Sequence, residues 1–218
     1  LEQRGKEKCA YRAYLDLNRR IEYLYSSNAL DNMQSRKASE EDKNIAIKYK
    51  EAKKALIESV CDIILCSVDK YECVDGQFGL WHKAKCEEIM GTMNTAMFQD
   101  DSLILKSNSF TYGLAQKWVN MTLKYLWLLD RLPEGLTAKS LHVPIDSFIL
   151  KKLQEENVDE IRRDGDTYKY KGKSWSQLDD YDVYLDIQTK IGQIAGKTFP
   201  IEWEGPAWMD VAKTRSSK

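Results

Sequence analysis

Lys117 and Asp146 are the two residues of this chain whose types and settings together propose a reaction. Lys117 lies one turn into a strongly apolar stretch, GLAQKWVNMTLKYLWLL, running from Gly113 to Leu129. A lysine in such surroundings can act as an amine nucleophile and form a Schiff base. On an ordinary helix its stem packs while its ammonium reaches water or pairs with a carboxylate. Asp146 follows Pro144 at the head of a second apolar segment that ends near Leu153, where free helix N–H groups favour a carboxylate in its ionised form. A fixed anion there can steer a nucleophile or stabilise positive charge on a sugar ring; its plainer role is helix capping. Just before Lys117, the residues Tyr112, Gly113, Ala115 and Gln116 read as a turn into a helix. The backbone N–H groups of such a turn form a phosphate site that is indifferent to base sequence.

The elements that must position this pair are helical. Apolar residues at Tyr11, Tyr14, Leu15, Leu17, Ile21, Leu24 and Tyr25 predict an amphipathic helix over 7–25, with Arg12, Arg19 and Arg20 toward solvent. Ser26 to Ser39 reads as a polar loop, and Ser39 with Asp42 as the cap of a long helix from Glu40 to about Tyr71. Gly76 and Gly79 interrupt the chain before helical periodicity resumes from Leu80 to Met97, and Leu103–Leu105 is too short to assign. The segment 114–129 is apolar nearly all round, which predicts a central, buried helix. Thr167 to Tyr170, flanked by Asp164-Gly165 and Gly172, predicts a small β-hairpin. Ser176 and Asp179 are candidate caps for a helix through Tyr181 that stops at Gly196. A last helical piece opens at Pro200 and is expected to break at Gly205-Pro206, with a disordered tail from Thr214 to Lys218. The fold class is therefore mainly α, a helical bundle-like domain with at most a small β-hairpin near 160–173. A region of unassigned role over 1–100 packs with 101–213 as one globular unit.

Composition narrows the function classes. With 218 residues and 43% hydrophobic content the chain can bury a real core, while a net charge of -1 gives no global attraction to nucleic acid. The local balance differs: from Ser102 to Leu129 there is no acidic residue, but Lys106, Lys117 and Lys124 are present, so this window is the anion-facing candidate. The five cysteines, Cys9, Cys61, Cys66, Cys73 and Cys86, lack the paired spacing of zinc sites and read as reduced, packed thiols of a cytoplasmic protein. Cys73, His82 and Cys86 are the set from which a metal site would have to be built, and none is expected. No segment approaches the ~20 apolar residues of a membrane span, and no signal peptide opens the chain. Trp118, Trp127, Trp203 and Trp208 read as core or surface-cap residues rather than base-stacking platforms.

Gly-x-Ala-x-Lys heading an apolar helix, followed by His142-Val-Pro-Ile-Asp146-Ser-Phe-Ile-Leu150, resembles the helix-hairpin-helix DNA glycosylase superfamily. The resemblance is closest to its 8-oxoguanine glycosylases of the archaeal type and covers Tyr112 to Leu153, with a weak echo at Phe199-Pro-Ile-Glu-Trp-Glu204. Thr111-Tyr112-Gly113 stands where Leu-Pro-Gly is usual, and Ala115 where a second glycine is usual. The resemblance implies a helix-hairpin-helix element whose turn, at Tyr112, Gly113, Ala115 and Gln116, holds double-stranded DNA. It further implies Lys117 as Schiff-base nucleophile, Asp146 as essential aspartate, an oxidised purine as the base removed, and no metal or organic cofactor. Two alternatives stay open: a catalytically silent nucleic-acid or nucleotide-binding module, for instance in phage–host conflict, and a helical protein-interaction factor.

Overall fold

A computed structural model describes residues 2–25, 39–71, 77–95, 110–158, 160–163, 166–169 and 174–216. Its helices are α1 (Glu2–Tyr25), α2 (Glu40–Asp69), α3 (Phe78–Thr95), α4 (Tyr112–Leu128), α5 (Ser147–Glu155), α6 (Tyr181–Ala195) and α7 (Pro200–Ser216). Strands β1 (Glu160–Arg163) and β2 (Asp166–Lys169) form an antiparallel hairpin with Ile161 opposite Tyr168, so the fold is mainly α as expected. Expectations for Gly76, Leu103–Leu105, Lys106 and the loop from Ser26 lie outside the described residues.

Local chemistry accounts for the helix ends. Ser39 and Asp42 form a reciprocal capping box at α2, where Ser39 Oγ accepts from Asp42 N and the Asp42 carboxylate accepts from Ser39 N. The cap of α6 is Asp180, not Ser176 or Asp179: its side chain accepts from Asp182 N at 2.8 Å and Val183 N at 3.2 Å. Gly196 ends α6 with φ 63, a conformation that disfavours residues bearing a Cβ.

Two expectations at the C-terminus are corrected. Helix α7 runs unbroken through Gly205 and Pro206 and on to Ser216, past Thr214. Pro206 removes one intrahelical donor, and the carbonyl it would have served belongs to Glu202; both residues are exposed, and the helix continues through them.

Helix α4 is the centre of the molecule. Residues Gly113 to Asn120 are buried without interruption, since α1, α3 and the turn at Trp175–Gln177 all pack on it. On the α1 side the indole N–H of the fully buried Trp118 donates to Ala10 O at 3.1 Å, and the Tyr14 ring lies 5.6 Å away. One core of buried residues extends from Cys9 in α1 to Ile201 in α7. Helices α1, α2 and α3 thus share one hydrophobic core with α4, α5, α6 and α7.

Candidate functional site

The Val143 to Asp146 segment has extended backbone but no strand beside it, and glutamine side chains take the missing strand's place. Gln116 Nε2 donates to Ile145 O at 3.0 Å, and Gln116 Oε1 accepts from Ile145 N at 3.2 Å. Two residues back, Gln188 of α6 donates to Val143 O at 2.7 Å and accepts from Val143 N at 2.9 Å. Each amide reproduces the donor–acceptor pair of a peptide, so the segment is gripped from α4 and α6 at alternate residues.

Behind these clamps lies a buried polar chain. Asn120 Nδ2 donates to Gln116 Oε1 at 3.0 Å and to the Tyr184 hydroxyl at 2.9 Å. The Tyr184 hydroxyl also shares a hydrogen bond with His142 Nδ1 at 2.8 Å. Asn120 Oδ1 can only accept, so His82 Nε2, 3.0 Å away, carries the proton. Burial pushes the pKa of His82 well below its ordinary value, with nearby His142 adding to the effect, and holds that of His142 at about 3. Both imidazoles are therefore neutral partners in a fully connected network.

The clamped segment delivers Asp146 to the head of α5. Asp146 Oδ1 accepts from Phe148 N at 2.9 Å and Ile149 N at 3.0 Å, which caps the helix and fixes the carboxylate. Asp146 Oδ2 is left for the cleft, where Lys117 Nζ lies 3.2 Å away and the Trp208 indole N–H donates at 3.3 Å. Lys117 Nζ also sits 4.7 Å from the centre of the Trp175 ring, and Phe148 stacks on Trp208 at 4.5 Å. Lys117 and Asp146 thus meet, and they do so in the wall of an open cleft of about 730 Å³ between α1, α4, α5 and α7. Deeper in that wall Lys124 pairs with Glu204, which is only 3% exposed. Burial raises the Glu204 pKa, Lys124 opposes the rise, and Asp146 adds to it.

The four residues expected to hold DNA phosphate do not present themselves for it. Gly113, Ala115 and Gln116 are buried, and the hydroxyl of part-buried Tyr112 donates to Glu87 at 2.7 Å. The stretch Ser174–Leu178 is strapped across the start of α4: Gly113 N donates to Leu178 O at 2.7 Å and Thr111 Oγ1 to Ser176 O at 2.8 Å. Leu114 N and Ala115 N both turn back to Thr111 O. The first N–H groups of α4 are therefore spent inside the protein. Gly113 is required for another reason: a Cβ on it would lie 2.0 Å from Trp175 O.

Trp175, Trp208, Phe148, Glu204, Gln188 and Asn120 complete the site without a signal in the sequence. The amides stand among apolar residues on helices and follow no period, while Trp175 opens a single 3-10 turn in a strap that only the fold brings to Lys117. Among the described residues no group of three or more His, Cys, Asp or Glu side chains is arranged to hold a metal ion; Cys73 lies outside them. No helix among them is long and apolar enough to cross a membrane. No protein-family model, curated protein or solved structure significantly matches the chain.

Proposed function

We propose that this protein is a DNA glycosylase of the lysine Schiff-base type, acting on an oxidised purine extruded from double-stranded DNA. The observation that carries the reading is the Lys117–Asp146 pair, 3.2 Å apart in the wall of an open cleft of about 730 Å³. A cleft of that size holds a nucleotide. Trp175, Trp208 and Phe148 supply aromatic faces for a base taken out of the duplex.

In this mechanism the Lys117 ammonium first yields a proton to Asp146, and the neutral Nζ attacks C1′ of the sugar. The bond from C1′ to the purine nitrogen breaks, its electron pair leaves with the base, and the proton held by Asp146 passes to the departing base. Asp146, again a carboxylate anchored by two backbone N–H groups, faces the cationic sugar through Oδ2. Nζ, an ammonium once bonded to C1′, gives a proton to O4′; its freed electron pair forms the C1′=Nζ bond as the C1′–O4′ bond breaks, and a protonated Schiff base joins C1′ to Lys117. Water hydrolyses it to restore the lysine, or β-elimination of the 3′ phosphate cleaves the strand. Borohydride trapping on 8-oxoguanine duplex DNA tests this directly, with Lys117→Gln as the control.

The closed start of α4 favours one alternative, a nucleotide-binding module without chemistry, because the hairpin grip on duplex DNA is missing from its expected place. Salt-dependent DNA binding with no base release would identify it.

A further inference from the structure

With the start of α4 sealed by its strap, a nucleotide in the cleft must be held by its phosphates elsewhere, and the cleft wall offers two cations for it. Four basic side chains line this wall: Lys117, Lys124, Arg19 and Arg20. Lys117 is paired with Asp146 and Lys124 with Glu204, both at low exposure, so their charge is largely answered within the protein. Arg19 and Arg20 are exposed, and neither makes a hydrogen bond or ion pair among the described residues. Their helix is nevertheless fixed. One turn earlier, Asp16 of α1 accepts from the Tyr125 hydroxyl of α4 at 2.6 Å, which locks the cleft-facing side of α1 against the wall that carries Lys117. The next turn of that face, about 5.4 Å along the axis, carries the two arginines.

We infer that Arg19 and Arg20 form the phosphate-binding site of the cleft, gripping the phosphodiesters that flank the nucleotide whose sugar reaches Lys117. This inference rests on the proposed function and moves the DNA grip from the turn before α4 to helix α1. Guanidinium suits this role, because its planar fork offers paired N–H donors to phosphate oxygens and keeps its charge at every physiological pH. The aromatic residues of the same cleft, Phe148, Trp175 and Trp208, lie outside α1 and accept a base, so the two halves of a nucleotide find their partners on different elements lining one cleft. The arginines lie at its open rim, where the backbone of a strand must pass while its base turns inward.

The test is fluorescence anisotropy of the whole chain on a duplex containing a tetrahydrofuran abasic analogue, which Lys117 cannot trap, across a range of salt concentrations. Replacing both arginines (Arg19→Gln with Arg20→Gln) is expected to weaken binding about tenfold and to lower the slope of log affinity against log salt by about 2. The Arg19→Lys, Arg20→Lys variant recovers most of the slope, because counterion release depends on charge. A slope equal to wild type in the glutamine variant overturns the inference. Loss confined to a competing nucleoside monophosphate, with duplex binding intact, also overturns it. Borohydride trapping by the wild-type protein reports separately on the proposed function. Absent trapping with a reduced slope leaves the phosphate site standing, whereas normal trapping with an unchanged slope removes the phosphate site alone.

Discussion

Gln188 is remote from the cleft yet holds the segment that leads into Asp146, so replacing it tests how the site is built. Methionine in its place conserves volume and apolar stem but removes both hydrogen bonds to Val143, at 2.7 and 2.9 Å. Val143 O keeps a weak donor in Asn120 Nδ2 at 3.4 Å, whereas Val143 N loses its partner inside a buried segment. A stranded buried donor costs about 1–3 kcal/mol and the second lost bond about 1 kcal/mol, so Gln188→Met is expected to lose about 2–4 kcal/mol. For a chain of this size that lowers the melting temperature by roughly 5–12 °C, readable by scanning calorimetry. Trapping on 8-oxoguanine DNA below the melting range is expected to slow in parallel, since one of the two clamps on the segment leading into Asp146 is lost while Gln116 still holds Ile145. A melting temperature within about 1 °C of wild type would refute the idea that side-chain amides substitute for a neighbouring strand.

The buried imidazoles predict acid sensitivity. Both histidines have folded pKa values below the unfolded 6.5, so stability is fully present above pH 6.5 and is lost as pH falls, through about 3 for His142 and well below 6.5 for His82. The slope is up to about 1.4 kcal/mol per pH unit for each histidine. Denaturant titrations at pH 7 and 5 are expected to show a shallower loss for His142→Asn, which keeps an acceptor for Tyr184 but cannot titrate; an unchanged slope contradicts this. Gly113→Ala forces the strap away from α4, because the added methyl meets Trp175 O at 2.0 Å. A loss of about 1–3 kcal/mol by denaturant unfolding is expected, and a variant as stable as wild type would show that the strap yields freely.

Much of the architecture was legible because it is written locally. Ser39 with Asp42, Gly196 and the all-round apolarity of 114–129 each act within a turn or two of themselves, and the structure shows a cap, a stop and a helix buried without interruption as far as Asn120, with Leu128 and Leu129 exposed at its end. Asp146 was legible as a cap because capping needs only the next three residues. What failed was long-range. Gly113 looked like a phosphate turn, yet its small size answers to Trp175, sixty residues on, and its N–H to Leu178. Gln116 looked like a turn residue facing DNA, although its amide is fully used by Gly113, Asn120 and Ile145. Arg19 and Arg20 were placed on a solvent face, and they are exposed; that this solvent is the mouth of the Lys117 cleft depends on how α1 lies across α4. The break expected at Pro206 did not occur: the helix continues through it, on an exposed turn that includes Glu202.

The central claim is that Lys117 attacks a sugar carbon under the influence of Asp146. Incubating the whole chain with 8-oxoguanine duplex DNA and borohydride, then separating covalent complexes under denaturing conditions, tests it most directly. The account predicts an adduct with wild-type protein, none with Lys117→Gln, and a yield reduced at least tenfold with Asp146→Asn, which retains the cap but loses the charge. An adduct that persists undiminished in Lys117→Gln, or none with wild type, would contradict it.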